Sequence, residues 1–142
     1  MNLGTEEIPV RVVLDTNIII SAILCGGKPD KVLNLVLEEK ITPIISPVLT
    51  SELKEVFSKK FPLSEADFKL AFKNIEESFE VVQPEKKIDA LRDKDDNRVL
   101  EAAIEGDCAY IITGDKDLLE LRSYKKIKII TASDFLGLIE SN

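Results

Sequence analysis

The sequence predicts an α/β fold, a parallel sheet covered by helices on both faces as a three-layer α/β/α sandwich. Three observations carry that expectation. Short apolar runs at Val10–Leu14, Ile41–Ile45, Phe79–Val82, Ala109–Thr113 and Ile127–Ile130 have the length of buried strands. Segments of helical periodicity separate them, as parallel neighbours require. The first run breaks at Asp15, before a second apolar run from Ile18 to Leu24, so a carboxylate sits where a strand hands over to a helix. At that edge of an open parallel sheet, ligands bind.

Taken in order, four apolar residues around Arg11 make the first strand, and Ile18 to Leu24 the first helix. Gly26-Gly27-Lys28-Pro29 reads as a turn, and Pro29 opens a helix from about Asp30 to Lys40 with Val32, Leu33, Val36 and Leu37 at helical spacing. After the strand Ile41–Ile45, Ser46 suits an N-cap with Pro47 in the first helical position, and that helix runs to about Lys59. Phe61-Pro62 breaks it. Ser64 and Asp67 resemble a capping box for a helix to about Ser78, with Phe68, Ala71, Phe72 and Ile75 inward. Beyond the third strand, Glu85 to Asp95 is charged and irregular. A helix follows from about Asp96 to Glu105 and ends at Gly106. Asp115 to Leu121 and Ser133 to Glu140 complete the helices. No internal repeat, linker or low-complexity tract interrupts the chain, so 142 residues form one domain, with residues 1–9 as a flexible tail.

Composition bounds the chemistry. The chain is 44% hydrophobic and 32% charged, with a formal charge of -7 and a pI of about 4.7. That balance argues against a nucleic-acid binder, yet two bound divalent cations would offset more than half of it. There is no histidine, which removes Ser-His-Asp and Cys-His catalysis and the usual zinc sites. Cys25 and Cys108 lack metal-ligand spacing and lie in apolar neighbourhoods, as buried free thiols of a reducing cytoplasm would. The N-terminus carries Glu6 and Glu7 and no long apolar run, which does not suit a signal peptide, and no segment reaches membrane-spanning length. A cytoplasmic location is expected.

Most of the 26 acidic residues solubilise helix faces, but a few sit where a carboxylate is costly. On a helical wheel the arc from Val48 through Val56 and Leu49 to Leu53 and Phe57 contains Glu52, with Glu55 outside it. In the helix after Lys94, Val99, Ala103, Leu100 and Ile104 form the arc. Asp96 projects into it and Asp95 falls just outside. Asp93 and Asp95 suit caps and dipole partners, and a helix-start role remains open for Asp96 as well. Asp115 leaves the carboxyl edge of the fourth strand as Asp15 leaves the first, and Asp117 stands one turn position deeper. Four carboxylates from four segments can thus meet at one edge. Oxygen donors without His or Cys suit Mg2+ or Mn2+, and one or two such ions can activate a water and steady the leaving oxygen in phosphodiester cleavage.

Leu14-Asp-Thr-Asn17, Ser51-Glu-Leu53, Asp93-Lys-Asp-Asp-Asn97 and Ile111-Ile-Thr-Gly-Asp-Lys-Asp-Leu-Leu119, in that order, resemble the motif set of PIN-domain ribonucleases. The resemblance extends from Val10 to about Leu138. It implies a five-stranded parallel sheet of order 3-2-1-4-5, with Asp15 and Asp115 flanking the switch point. Carried over by position, it makes Asp15, Glu52, Asp96 and Asp115 the catalytic, metal-binding quartet. Thr16, Asn17, Thr113, Asp117 and Asp95 support it, with Asp95 the alternative third acid. It further implies an endoribonuclease leaving 5′-phosphate and 3′-hydroxyl ends, and a homodimer. The Thr-Gly-Asp-Lys-Asp form resembles the branch described as toxins of toxin–antitoxin pairs, which would add a small antitoxin partner.

Three other classes compete. A non-catalytic scaffold that binds RNA or a partner keeps the fold without cutting. A metal-dependent phosphatase of the haloacid-dehalogenase type wants an Asp where Asn17 stands. A receiver-like phosphoacceptor wants an Asp where Pro84-Glu85 stands.

Overall fold

The computed structural model describes residues 8–60 and 64–140. The Phe61-Pro62 break, the inward faces expected of Phe68, Ala71 and Ile75, and all of the 1–9 tail but the exposed Ile8 and Pro9 lie outside the described residues and side chains.

Strand β1 (Val10–Leu14) is followed by helices α1 (Thr16–Cys25) and α2 (Gly27–Leu37), strand β2 (Ile41–Ile45), and helices α3 (Pro47–Lys60) and α4 (Glu65–Ser78). Strand β3 (Glu80–Val81), helix α5 (Lys94–Glu105), strand β4 (Tyr110–Ile112) and helix α6 (Lys116–Leu121) come next. Strands β5 (Ser123–Tyr124) and β6 (Ile127–Ile130) and helix α7 (Ala132–Glu140) close the fold. The sheet order is β3-β2-β1-β4-β6-β5, and every pairing except β5 with β6 is parallel. The chain winds outward from β1 to β3, then returns across the sheet to β4. Right-handed crossovers therefore put α5 on the face opposite α1 and α2.

The sheet has six strands, where five were expected. The additional strand, β5, hairpins onto β6 in the register Tyr124↔Ile127 through the turn Lys125-Lys126. Arg122 (φ 66°) and Lys125 (φ 53°) take left-handed backbone conformations there, which glycine or asparagine usually signals. The five parallel strands keep the expected order.

Local chemistry explains the boundaries. Helix α2 starts at Gly27 rather than at Asp30, so Gly26 precedes the helix and Gly27, Lys28 and Pro29 enter its first turn. Pro29 is tolerated there because first-turn N–H groups lack intrahelical partners anyway. The Ser46 hydroxyl accepts the Leu49 N–H at 3.4 Å, and that of Ser64 accepts the Asp67 N–H at 3.1 Å, each capping its helix. Gly106 ends α5 with φ -82°, so it serves close approach and not a left-handed turn. A Cβ at that position would lie 2.6 Å from Ile44 Cγ2.

Val12, Val13, Ile111 and Ile112 of the central strands are wholly buried, and each such side chain contributes roughly 1.5–3 kcal/mol of hydrophobic stabilisation. Phe57 meets Phe72 edge-to-face at 4.7 Å and joins α3 to α4. Two apolar residues of the expected faces, Leu37 and Val48, are exposed. Cys108 is buried, which pushes its thiol pKa up to about 12. Cys25 is exposed, contrary to expectation: it is the last residue of α1, whose final turn also leaves Ile23 and Leu24 uncovered. No helix among the described residues is long and apolar enough to cross a membrane.

Candidate metal centre

At the carboxyl edge of β1 and β4 the backbone ladder continues one residue beyond the strand, since the Asp15 N–H donates to the Ile112 carbonyl at 3.0 Å. That bond fixes where the Asp15 side chain leaves the sheet. Its carboxylate is buried, and Oδ2 accepts the Thr113 hydroxyl at 2.6 Å. The same hydroxyl oxygen accepts the Asp115 N–H at 2.9 Å. Thr113 therefore joins the acid after β1 to the acid after β4. Asp115 in turn caps α6 by accepting the Asp117 N–H at 2.8 Å.

Two further acids enter from helices. Glu52 of α3 is half-buried, and its Oε1 accepts the Thr16 hydroxyl at 3.0 Å, tying α3 to the first turn of α1. Asp93 caps α5 by accepting the Asp95 N–H at 2.9 Å. The next turn then directs Asp96 inward and leaves Asp95 exposed, as helical rotation requires. Asn17 is exposed.

The geometry crowds negative charge. Burial raises the Asp15 pKa, the Thr113 hydroxyl opposes the rise, and the Asp115 charge adds to it. Burial also raises that of Glu52, against the Thr16 hydroxyl and with repulsion from Asp95, Asp15 and Asp93. Asp96 is the extreme case: burial, then the charge of Asp115, lifts it to about 7. Among the described residues, the ion pairs Arg11–Glu80, Lys40–Glu38, Lys54–Glu65, Lys59–Glu55 and Arg98–Glu101 all end on acids other than Asp15, Glu52, Asp96, Asp115 and Asp117.

Carboxylate oxygens of Asp96, Asp115 and Asp117 lie within 4.8 Å of one another. Asp117, expected only in support, thus stands with two of the expected quartet. Asp15 and Glu52 complete the edge through the hydroxyls of Thr113 and Thr16. Asp96 Oδ2 is buried with no fixed hydrogen-bond partner, a state that is expensive unless a proton shared with Asp115 or a bound cation relieves it. An all-oxygen donor set with one orphaned buried oxygen fits a hard divalent ion.

Sequence reasoning missed what holds Asp96 in place. Residues 85–91 are an ordered strap along α5. Glu105 Oε1 accepts the Glu85 N–H at 3.0 Å and Glu101 Oε2 the Ile88 N–H at 2.9 Å. Asn97 Oδ1 accepts the N–H groups of Ala90 and Leu91 at 3.1 and 2.8 Å, while Nδ2 donates to the Leu91 carbonyl at 2.8 Å. The available signal was polar residues recurring every four positions, which places them on one line of the helix.

Comparison with known proteins agrees with this geometry. The family model described as PIN domain matches residues 11–117. Uncharacterized protein MJ1680 of Methanocaldococcus jannaschii is 35% identical to the chain, with 92% of each covered. On the extent of these matches, the chain belongs to the PIN-domain family, whose members are generally metal-dependent nucleases.

Proposed function

We propose that this protein is a Mg2+- or Mn2+-dependent endoribonuclease that hydrolyses phosphodiester bonds of single-stranded RNA. The observation that carries the reading is the buried, unpartnered Asp96 oxygen beside Asp115 and Asp117, at the edge that also presents Asp15 and Glu52. Asp96, Asp115 and Asp117 would hold a divalent ion, with Asp15 and Glu52 placed to share it or a second one. When bound, such an ion supplies the positive charge that an acid-only site lacks and lowers the pKa of a water molecule. The chain itself supplies placement. Thr113 occupies one oxygen of Asp15 and Thr16 one oxygen of Glu52, which fixes both carboxylates in single orientations.

Cleavage of a labelled single-stranded RNA in Mg2+ or Mn2+, and none in EDTA, tests the reading. Asp15→Asn should abolish cutting, and its circular dichroism spectrum should match that of the wild type. Undiminished cleavage by that variant, in a preparation free of contaminating nuclease, overturns the proposal. A wild type that binds RNA without cutting it in any metal is instead a scaffold. The Thr113-Gly-Asp-Lys-Asp117 form supports a role as the toxin of a cytoplasmic toxin–antitoxin pair, active as a homodimer and held by a small antitoxin. Growth arrest on expression, relieved by the product of a short neighbouring gene, is the expected result.

A further inference from the structure

Asn97 follows Asp96 directly and is almost wholly buried, and its side-chain amide is spent on the backbone of the strap. By bonding the backbone of Leu91 through both its oxygen and its nitrogen, it closes a ring from Leu91 to Asn97. Asp93, Asp95 and Asp96 all lie within that ring. The ring needs closing. Asp96 is repelled by Asp115, Asp93 and Asp15, and the first turn of α5 relieves that repulsion if it frays outward. The helical bond that opposes fraying, Asn97 N–H to the Asp93 carbonyl, is long at 3.3 Å. The side-chain bonds are shorter and attach to a segment that Glu101 and Glu105 fasten further down the helix.

We infer that Asn97 is a positioning residue for the metal centre: its amide locks the 91–97 ring and so holds the Asp96 carboxylate against Asp115 and Asp117. This inference rests on the metal-centre reading under Proposed function.

Calorimetry of Mn2+ binding to the folded proteins at low temperature tests it. Asn97→Ala should weaken Mn2+ binding roughly tenfold or more, as loss of a residue that orients a ligand does. Val32→Ala, which opens the core beneath α2, also lowers stability but should leave the dissociation constant within about twofold of the wild type. Wild-type affinity in Asn97→Ala, or an equal loss in Val32→Ala, overturns the inference. A second measurement needs no variant. Coupling is reciprocal, so Mg2+ must tighten the ring as much as the ring tightens Mg2+. Amide exchange at Ala90 and Leu91 should slow on adding Mg2+ more than exchange at Val82, whose N–H bonds the Ile45 carbonyl. Equal slowing at all three refutes the inference even if Asn97→Ala does not fold. A wild type that binds no metal sinks the metal-centre reading as well. Metal binding that the variant leaves unchanged sinks the inference alone.

Discussion

Asp96→Asn separates a crowded metal ligand from an ordinary helix-start residue. Burial and the neighbouring charges raise the carboxyl from 3.8 to about 7, so the ionised form costs on the order of 4 kcal/mol more in the fold than in the unfolded chain. The folded pKa lies above the unfolded one, so the native state holds this proton more tightly. The group's contribution to stability is greatest below about pH 4, falls as pH rises towards 7, and stays low beyond. Asparagine keeps the size and removes the charge. In EDTA at pH 8 the variant should therefore be the more stable protein by up to ~4 kcal/mol, less the ~0.3–1 kcal/mol that a first-turn carboxylate gives the helix dipole. At about 3 °C per kcal/mol for a chain of this size, the melting temperature should rise by up to about 10 °C. Near pH 4.5 the difference should shrink, because the wild type is then protonated at this position. Saturating Mg2+ should close or reverse the gap at pH 8, since the wild type gains about 2.7 kcal/mol at a hundredfold excess over its dissociation constant and the variant gains less. Circular dichroism melts at both pH values, in EDTA and along a Mg2+ series, give the answer. If the variant is less stable by the same amount in every condition, Asp96 is a helix-start residue and Asp95 becomes the candidate acid.

Proton competition at Asp96 should also appear in the metal affinity, which calorimetry should show strengthening up to about tenfold per pH unit below about pH 7 and levelling above it. At saturating metal the log of the single-turnover rate should climb through the neutral range, because no histidine exists to impose an inflection near 6.5. A bell centred at neutrality would mean that a side chain acts as base. Gly106→Ala should cost ~1–3 kcal/mol in chemical denaturation, since its Cβ would meet Ile44 Cγ2 at 2.6 Å. Adding Ile44→Ala should then cost less than it does alone, and strict additivity would show that the close approach is not the cause.

How much of this could be read in the sequence depended on whether a residue's surroundings are local. Strands β1 and β2 have the expected bounds because each is a short, mostly apolar run stopped by a polar residue, Asp15 or Ser46. The inward rotation of Asp96 and outward rotation of Asp95 followed from helical geometry alone. Strand β5 was hidden because Arg122 and Lys125 adopt backbone conformations for which their side chains give no cue. The strap looked irregular because its N–H groups bond side chains from α5, more than one helical turn of sequence away. Glu101 likewise reads as a solubilising charge, yet it is buried against Ile88 and Arg98. The grouping of Asp117 with Asp96 was not legible because Asp96 belongs to a distant stretch of the chain, and only the fold brings α5 to the start of α6.

The bond from Thr113 to Asp15 spans 98 positions, and that span dictates when during synthesis the edge can be completed. A chain that has emerged only as far as Glu105 already carries Asp15, Glu52 and Asp96. It still lacks strand β4, the hydroxyl that orients Asp15, and both Asp115 and Asp117. Because β4 inserts beside β1 at the centre of the sheet, no amino-terminal fragment can substitute for it. If the protein cuts RNA as proposed, a nascent chain still attached to its ribosome and message is inert until residues 110–117 emerge. Translation interrupted before that point releases a harmless product.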